Sequence, residues 1–155
     1  MKTGLLLALV CLAISFALPT LEKTAVDPKT RQEIEAVAMQ FAEAYNKHDA
    51  PAIAALYTQD AVRLADWNSD DLLVGREAIE KGFAEYFAAS FPPAVREPVQ
   101  MYAIEGRIAA ISEYSAGHYN GHIVRIYIRD AATWKIRMEF VTGMNTSLTT
   151  TKMTR

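Results

Sequence analysis

A single cysteine, Cys11, occurs in 155 residues, so no disulfide can close a loop within the chain. A hydrophobic core must hold the protein together, with a partner subunit as the other means of burying apolar surface. An excess of one charge is lacking too: 16 Lys and Arg stand against 18 Asp and Glu. That balance argues against a surface that tracks nucleic acid or adheres to an anionic membrane. Long apolar runs are missing with one exception, "GLLLALVCLAISFAL", which follows Lys2 at residues 4–18. It is too short to span a bilayer. Ser15 and Ala17 are the small residues at −3 and −1 of a cleavage point, which identifies residues 1–17 as a secretory signal peptide. A lipid anchor on Cys11 would want a small residue where Val10 stands. Cleavage after Ala17 removes Lys2, Cys11 and no acid, leaving 15 basic against 18 acidic residues and a net charge of −3 instead of −2. The expected product is secreted or periplasmic, free of disulfides and not held at a membrane.

What remains has a clear order. Residues 18–29 form a leader, 30–145 one domain, and the Thr-rich 146–155 a flexible tail. Asp27-Pro28 caps a helix and starts it with proline, while Thr30 with Glu33 offers an alternative capping box. Ile34, Val37, Ala38, Phe41, Ala44, Tyr45 and His48 then fall on one helical face. A short second helix fits 50–57, capped by Asp49, and "DAVRLADW" (60–67) alternates as a strand. Residues 68–72 read as a polar loop. Gly75 precedes a third helix with Ile79, Phe83, Tyr86 and Phe87 on one side, stopped by Phe91-Pro92-Pro93. Four period-two runs follow, "PVQMYAIE", "RIAAISEYSAGHY", "HIVRIYIRD" and "WKIRMEFVTG", with Asn120-Gly121 as the expected two-residue hairpin turn. Helices first and antiparallel strands afterwards predict an α+β domain whose three helices cover one face of a curved sheet. Val124, Ile126 and Ile128 lie on the other face, where a homodimer through the sheet would bury them.

The sequence "FAEAYNKHD", the segment "IAALYTQDAV", the helix start "GREAI" and the late strand "WKIRMEF", in this order, resemble the SnoaL-like branch of the nuclear transport factor 2-like superfamily. That superfamily also holds ketosteroid isomerases and the calmodulin-dependent kinase association domain. The resemblance spans residues 30–145 and implies a cone-shaped barrel of mainly antiparallel sheet, open at one end, usually dimeric, with a pocket between helices and sheet. The same cone hosts enzymes and non-enzymes, so function must come from the site. Aligned through Asn46, Asp49 and Asp60, Phe41 and Ala65 stand where ketosteroid isomerases carry a Tyr donor and an Asp base. Aligned from the late strand, Arg125 stands where they carry a protonated Asp. None of the three can do the corresponding work, which excludes that reaction from the expectation.

The candidate chemistry is then as follows. Asp66, next to Trp67, is a proton-transfer base if it turns into the pocket, and a strand-ending loop residue if it does not. Arg63, Arg125, Tyr127 and Arg129 make the pocket cationic if their faces line it, suiting a carboxylate or enolate, or form an outer charge ladder otherwise. A buried arginine needs a partner, which Glu113 or Glu139 can supply. Phe41, Trp67, Phe83 and Met138 complete the ligand-binding set as its apolar wall. His118 and His122 flank the expected turn without a third ligand, so no metal is expected, and no cofactor. Asn145-Thr146-Ser147 fits the glycosylation pattern. His48-Asp49 reads as a helix end and a helix cap, not as a catalytic pair. Two functions follow from these residues. One is binding of a small, largely apolar molecule with a polar or anionic end, with proton transfer by Asp66 as an added possibility. The other is a non-catalytic homodimeric association module.

Overall fold

The computed structural model describes residues 25–65, 72–89 and 95–145. The expected signal peptide, most of the expected leader, Asp66 and Trp67, Phe91-Pro92-Pro93, the expected tail and most of the glycosylation pattern lie outside the described residues.

Helix α1 (Pro28–Asn46) starts on Asp27, whose Oδ1 accepts from the Thr30 amide at 3.0 Å, with proline in the first turn. It ends when His48 adopts a left-handed conformation, φ 55. The His48 amide donates to Tyr45 O and the Asp49 amide to Ala44 O, a Schellman closure. Asp49 then caps α2 (Ala50–Ala54) through the Ala52 amide at 2.9 Å. This second helix is shorter than expected. Tyr57 is not on it but opens strand β1 (Tyr57–Ala65).

Strand β2 (Leu72–Val74) pairs antiparallel with β1 and leads through Gly75 into α3 (Arg76–Ala88). Leu72, expected in a loop, lies in this strand, whose three residues carry too little alternation to register in the sequence. Strands β3 (Val95–Ile104), β4 (Arg107–Ala116), β5 (Tyr119–Asp130) and β6 (Thr133–Asn145) form an antiparallel meander. β6 then joins β1 in parallel. The result is one curved, unclosed sheet of order β2-β1-β6-β5-β4-β3, with the three helices on its inner face.

Two details correct the sequence reading. The hairpin between β4 and β5 turns at Gly117-His118, not at Asn120-Gly121. Gly117 has φ 61, as a two-residue hairpin with glycine first requires. Gly121 serves a different purpose: a Cβ there would fall 1.9 Å from Thr142 O of the neighbouring strand. Asn-Gly marks a close approach of two strands rather than a turn. The second detail is in β6. Tyr127 pairs with Ile136 but Ile126 pairs with Met138, so Arg137 is an extra residue and the strand bulges. Trp134 and Ile136 face inward before the bulge, and Glu139 and Val141 after it. Met138 therefore points outward and is 48% exposed, so it cannot belong to an inner wall.

Candidate functional site

Three strands bring three charges side by side on the inner face. Arg63 of β1 is the register partner of Glu139 on β6, and Glu139 is the partner of Arg125 on β5. Glu139, 2% exposed, accepts from Arg125 Nε at 2.6 Å through Oε2 and from Arg63 Nε at 3.0 Å through Oε1. One carboxylate thus holds two guanidiniums. Arg125 is 4% exposed, and Arg63 retains some contact with solvent.

The helices roof this row with rings. The Arg125 guanidinium lies 3.9 Å from the ring centre of Phe41 on α1, and that of Arg63 4.8 Å from Phe83 on α3. Phe41 and Phe83 also meet edge to face, with centroids 5.8 Å apart. Beside the charged row, Tyr57, Ile136 and Tyr127 align across the same three strands. On the other side stand Ala65, Val141, Ile123 and Ser112. The small residues Ala61, Ala65 and Ala110 are buried near the arginines, where large side chains could have filled the concave face.

The electrostatics follow from burial. Burial pushes the Tyr57 phenol well above its ordinary value; the Glu139 charge adds to this, while Arg125 and Arg63 oppose it. Tyr127 is raised by burial too, against the pull of Arg125. At Arg125 burial disfavours the charge, but Glu139 and the phenols outweigh it and raise the pKa. Both phenols are therefore donors at neutral pH and the guanidinium keeps its proton.

Two polar atoms are left over. Arg125 Nη2 and Tyr57 Oη are buried and lack a well-formed hydrogen bond, although the Tyr57 hydroxyl interacts with Glu139 and the Arg125 guanidinium with the Tyr127 hydroxyl. Each such atom costs about 1–3 kcal/mol if nothing satisfies it. Both are hydrogen-bond donors, and an acceptor between them would recover that cost.

The structure thus gathers Phe41, Arg63, Phe83, Arg125 and Tyr127 around Glu139, while Met138 leaves the site. Of the two carboxylates considered as partners for a buried arginine, Glu139 takes the role. Glu113 is exposed on the outer face, 3.9 Å from His122. Arg129 sits away from the centre, bonded to Glu33 on α1 and stacked on Trp134. The sequence reading missed Tyr57 by ending a helix on it. Its spacing from Ala61, Arg63 and Ala65 was the available signal, since alternate residues share a strand face. His118 occupies the hairpin turn and His122 the outer face, so they do not flank the turn.

A curved sheet roofed by helices, with polar groups gathered on its concave side, defines an α+β domain of the nuclear transport factor 2-like kind. A ketosteroid isomerase-like protein from Erwinia carotovora atroseptica superposes with a TM-score of 0.66 at 16% identity, over 76% of this chain and 98% of that one. A nuclear transport factor 2-like protein from Pseudomonas putida gives 0.63 at 18% identity, over 76% and 89%. A domain with a cystatin-like fold from Nostoc punctiforme gives 0.66 at 13%, over 76% and 78%. At these identities the likeness concerns the fold. The sequence goes further: residues 38–144 match the SnoaL-like domain, and the chain belongs to that family. No curated protein matches it significantly.

Proposed function

We propose that this SnoaL-like domain binds a small, largely apolar molecule through an anionic end, on the concave face of its sheet. The observation that carries this reading is the pair of buried donors without a well-formed hydrogen bond, Arg125 Nη2 and Tyr57 Oη, beside a row of charges whose sum is positive. A carboxylate oxygen would accept from both, and Phe41, Phe83 and Ile123 would meet the apolar part. Asp66 as a base for proton transfer remains part of the proposal, and binding does not depend on it. The signal peptide makes the protein an exported one, secreted or periplasmic. Its second copy would dock on the outer face of the sheet.

The test is calorimetric titration of medium-chain carboxylates into the wild-type protein and Arg125→Lys. Lysine keeps the charge beside Glu139 but loses the second guanidinium nitrogen. Affinity should fall about ten-fold or more, equivalent to one charge-assisted hydrogen bond. Equal affinities would remove Arg125 from the binding site.

A second reading draws on the outer face. Leu72, Val74 and Met138 are 56%, 62% and 48% exposed there, with Leu64, Val62, Ile126, Val124 and Phe140 between them on adjoining strands. A continuous apolar patch of this kind suits an association module whose interior does no binding. Under that reading no carboxylate binds, yet the protein still dimerises.

A further inference from the structure

We propose that the concave site is selective for charge: it accepts a monoanionic apolar carboxylate and rejects the dianion of the same skeleton, with Glu139 setting the rule. This inference rests on the binding reading above and specifies its ligand class. Among the described residues, the charged side chains of the row are Arg63, Arg125 and Glu139, which sum to one positive charge. Net charge is expensive on a surface removed from water, so a ligand with one negative charge leaves the site neutral. A second negative charge would find no further cation in the row: beside it stand the rings of Phe41 and Phe83, Ile123, Val141 and the neutral hydroxyl of Ser112.

The geometry supports the same count. Glu139 spends one oxygen on each arginine and takes Nε from both. Among the described residues Arg125 Nη2 and Tyr57 Oη are the buried donors without a well-formed hydrogen bond, and a single carboxylate would supply the acceptors they want. Without the Glu139 charge the row would carry two positive charges and would suit a dianion. Glu139 is therefore the residue that determines specificity, although it need not touch the ligand.

The test compares hexanoate, octanoate and decanoate with the α,ω-dicarboxylates of the same lengths at neutral pH, by calorimetry and thermal shift. The wild type should prefer the monocarboxylates by about ten-fold or more. In Glu139→Gln the preference should vanish or reverse. The double variant Arg63→Gln with Glu139→Gln returns the row to one positive charge and should regain the monoanion preference. Circular dichroism reports whether each variant folds. If Glu139→Gln does not fold, the wild type and the double variant carry the comparison. Equal binding of both series by the wild type overturns the charge rule and leaves the binding site standing. An unchanged preference in folded Glu139→Gln, or no preference in the folded double variant, likewise overturns the role of Glu139. Failure of every carboxylate to bind the wild type overturns the binding reading itself.

Discussion

Glu139 and Met138 are neighbours in β6 with reversed surroundings: the carboxylate is 2% exposed among arginines and aromatic rings, and the thioether is 48% exposed. Ordinary partition between water and core would place them the other way round. The inner face tolerates a carboxylate because two guanidiniums neutralise it and two phenylalanine rings sit against those guanidiniums. Nothing among the described residues covers the outer face in a comparable way, although it carries Val62, Leu64, Val124, Ile126 and Phe140. Under the proposed function, the concealed charge would meet a ligand within and the displayed hydrocarbon a subunit without.

The contrast can be broken most strongly from the inside. Glu139→Met leaves two guanidiniums buried against aromatic rings with no counter-charge. It should cost about 3–5 kcal/mol of stability in urea denaturation. A cost near zero would mean that the triad carries no structural weight. The reciprocal change, Met138→Glu, alters a half-exposed residue and should leave the stability of the subunit almost unchanged. Its effect belongs to assembly: sedimentation at micromolar concentration should give a dimer for the wild type and a monomer for the variant. A monomeric wild type would remove the outer face as an interface.

The smallest effect concerns pH. Burial holds the Tyr57 and Tyr127 phenols above the ordinary value of 10.0. A folded-state pKa above the unfolded one means that their contribution is complete below about pH 10 and is lost as pH rises through the folded values. The alkaline limb of the stability curve should therefore be shallower in Tyr57→Phe and Tyr127→Phe. In the wild type the Tyr57 and Tyr127 phenols should ionise only with unfolding, so difference titrations against folded Tyr57→Phe and Tyr127→Phe should show no phenolate absorbance from either while the fold persists. Titration of all seven tyrosines while the fold persists would contradict the buried placement.

Much of the frame was legible in the chain. Asp27-Pro28 and Asp49-Ala50-Pro51 announce helix starts by their chemistry, and strands β3 to β6 announce themselves by alternation. Their pairing did not follow from the same signals. That Arg63, Glu139 and Arg125 fall in one row depends on register across residues up to 76 positions apart, and no local propensity encodes that. The turn was misassigned because Asn120-Gly121 and Gly117-His118 both satisfy hairpin chemistry. The choice is made by the approach of Thr142 to Gly121, which is a long-range contact. Met138 was misplaced for a different reason. Trp134, Ile136, Met138 and Phe140 spell an unbroken alternation, and only the unpaired Arg137 shows that the alternation is interrupted.

Arg137 acts on its strand as an inserted base acts on a coding message. Up to it, the even-numbered residues of β6 are read toward the helices; beyond it, the odd-numbered ones are. Its guanidinium bonds Asp60 in the irregular stretch of β1, so the shift is anchored on both strands at once. The same sequence paired regularly, with no bulge at Arg137, would be read in the other frame, with the thioether inside and the carboxylate outside. It would keep every element of the fold while exchanging a charged interior for an oily one. One irregular residue between the tryptophan and the glutamate thus decides whether this strand lends the interior a charge or a hydrocarbon.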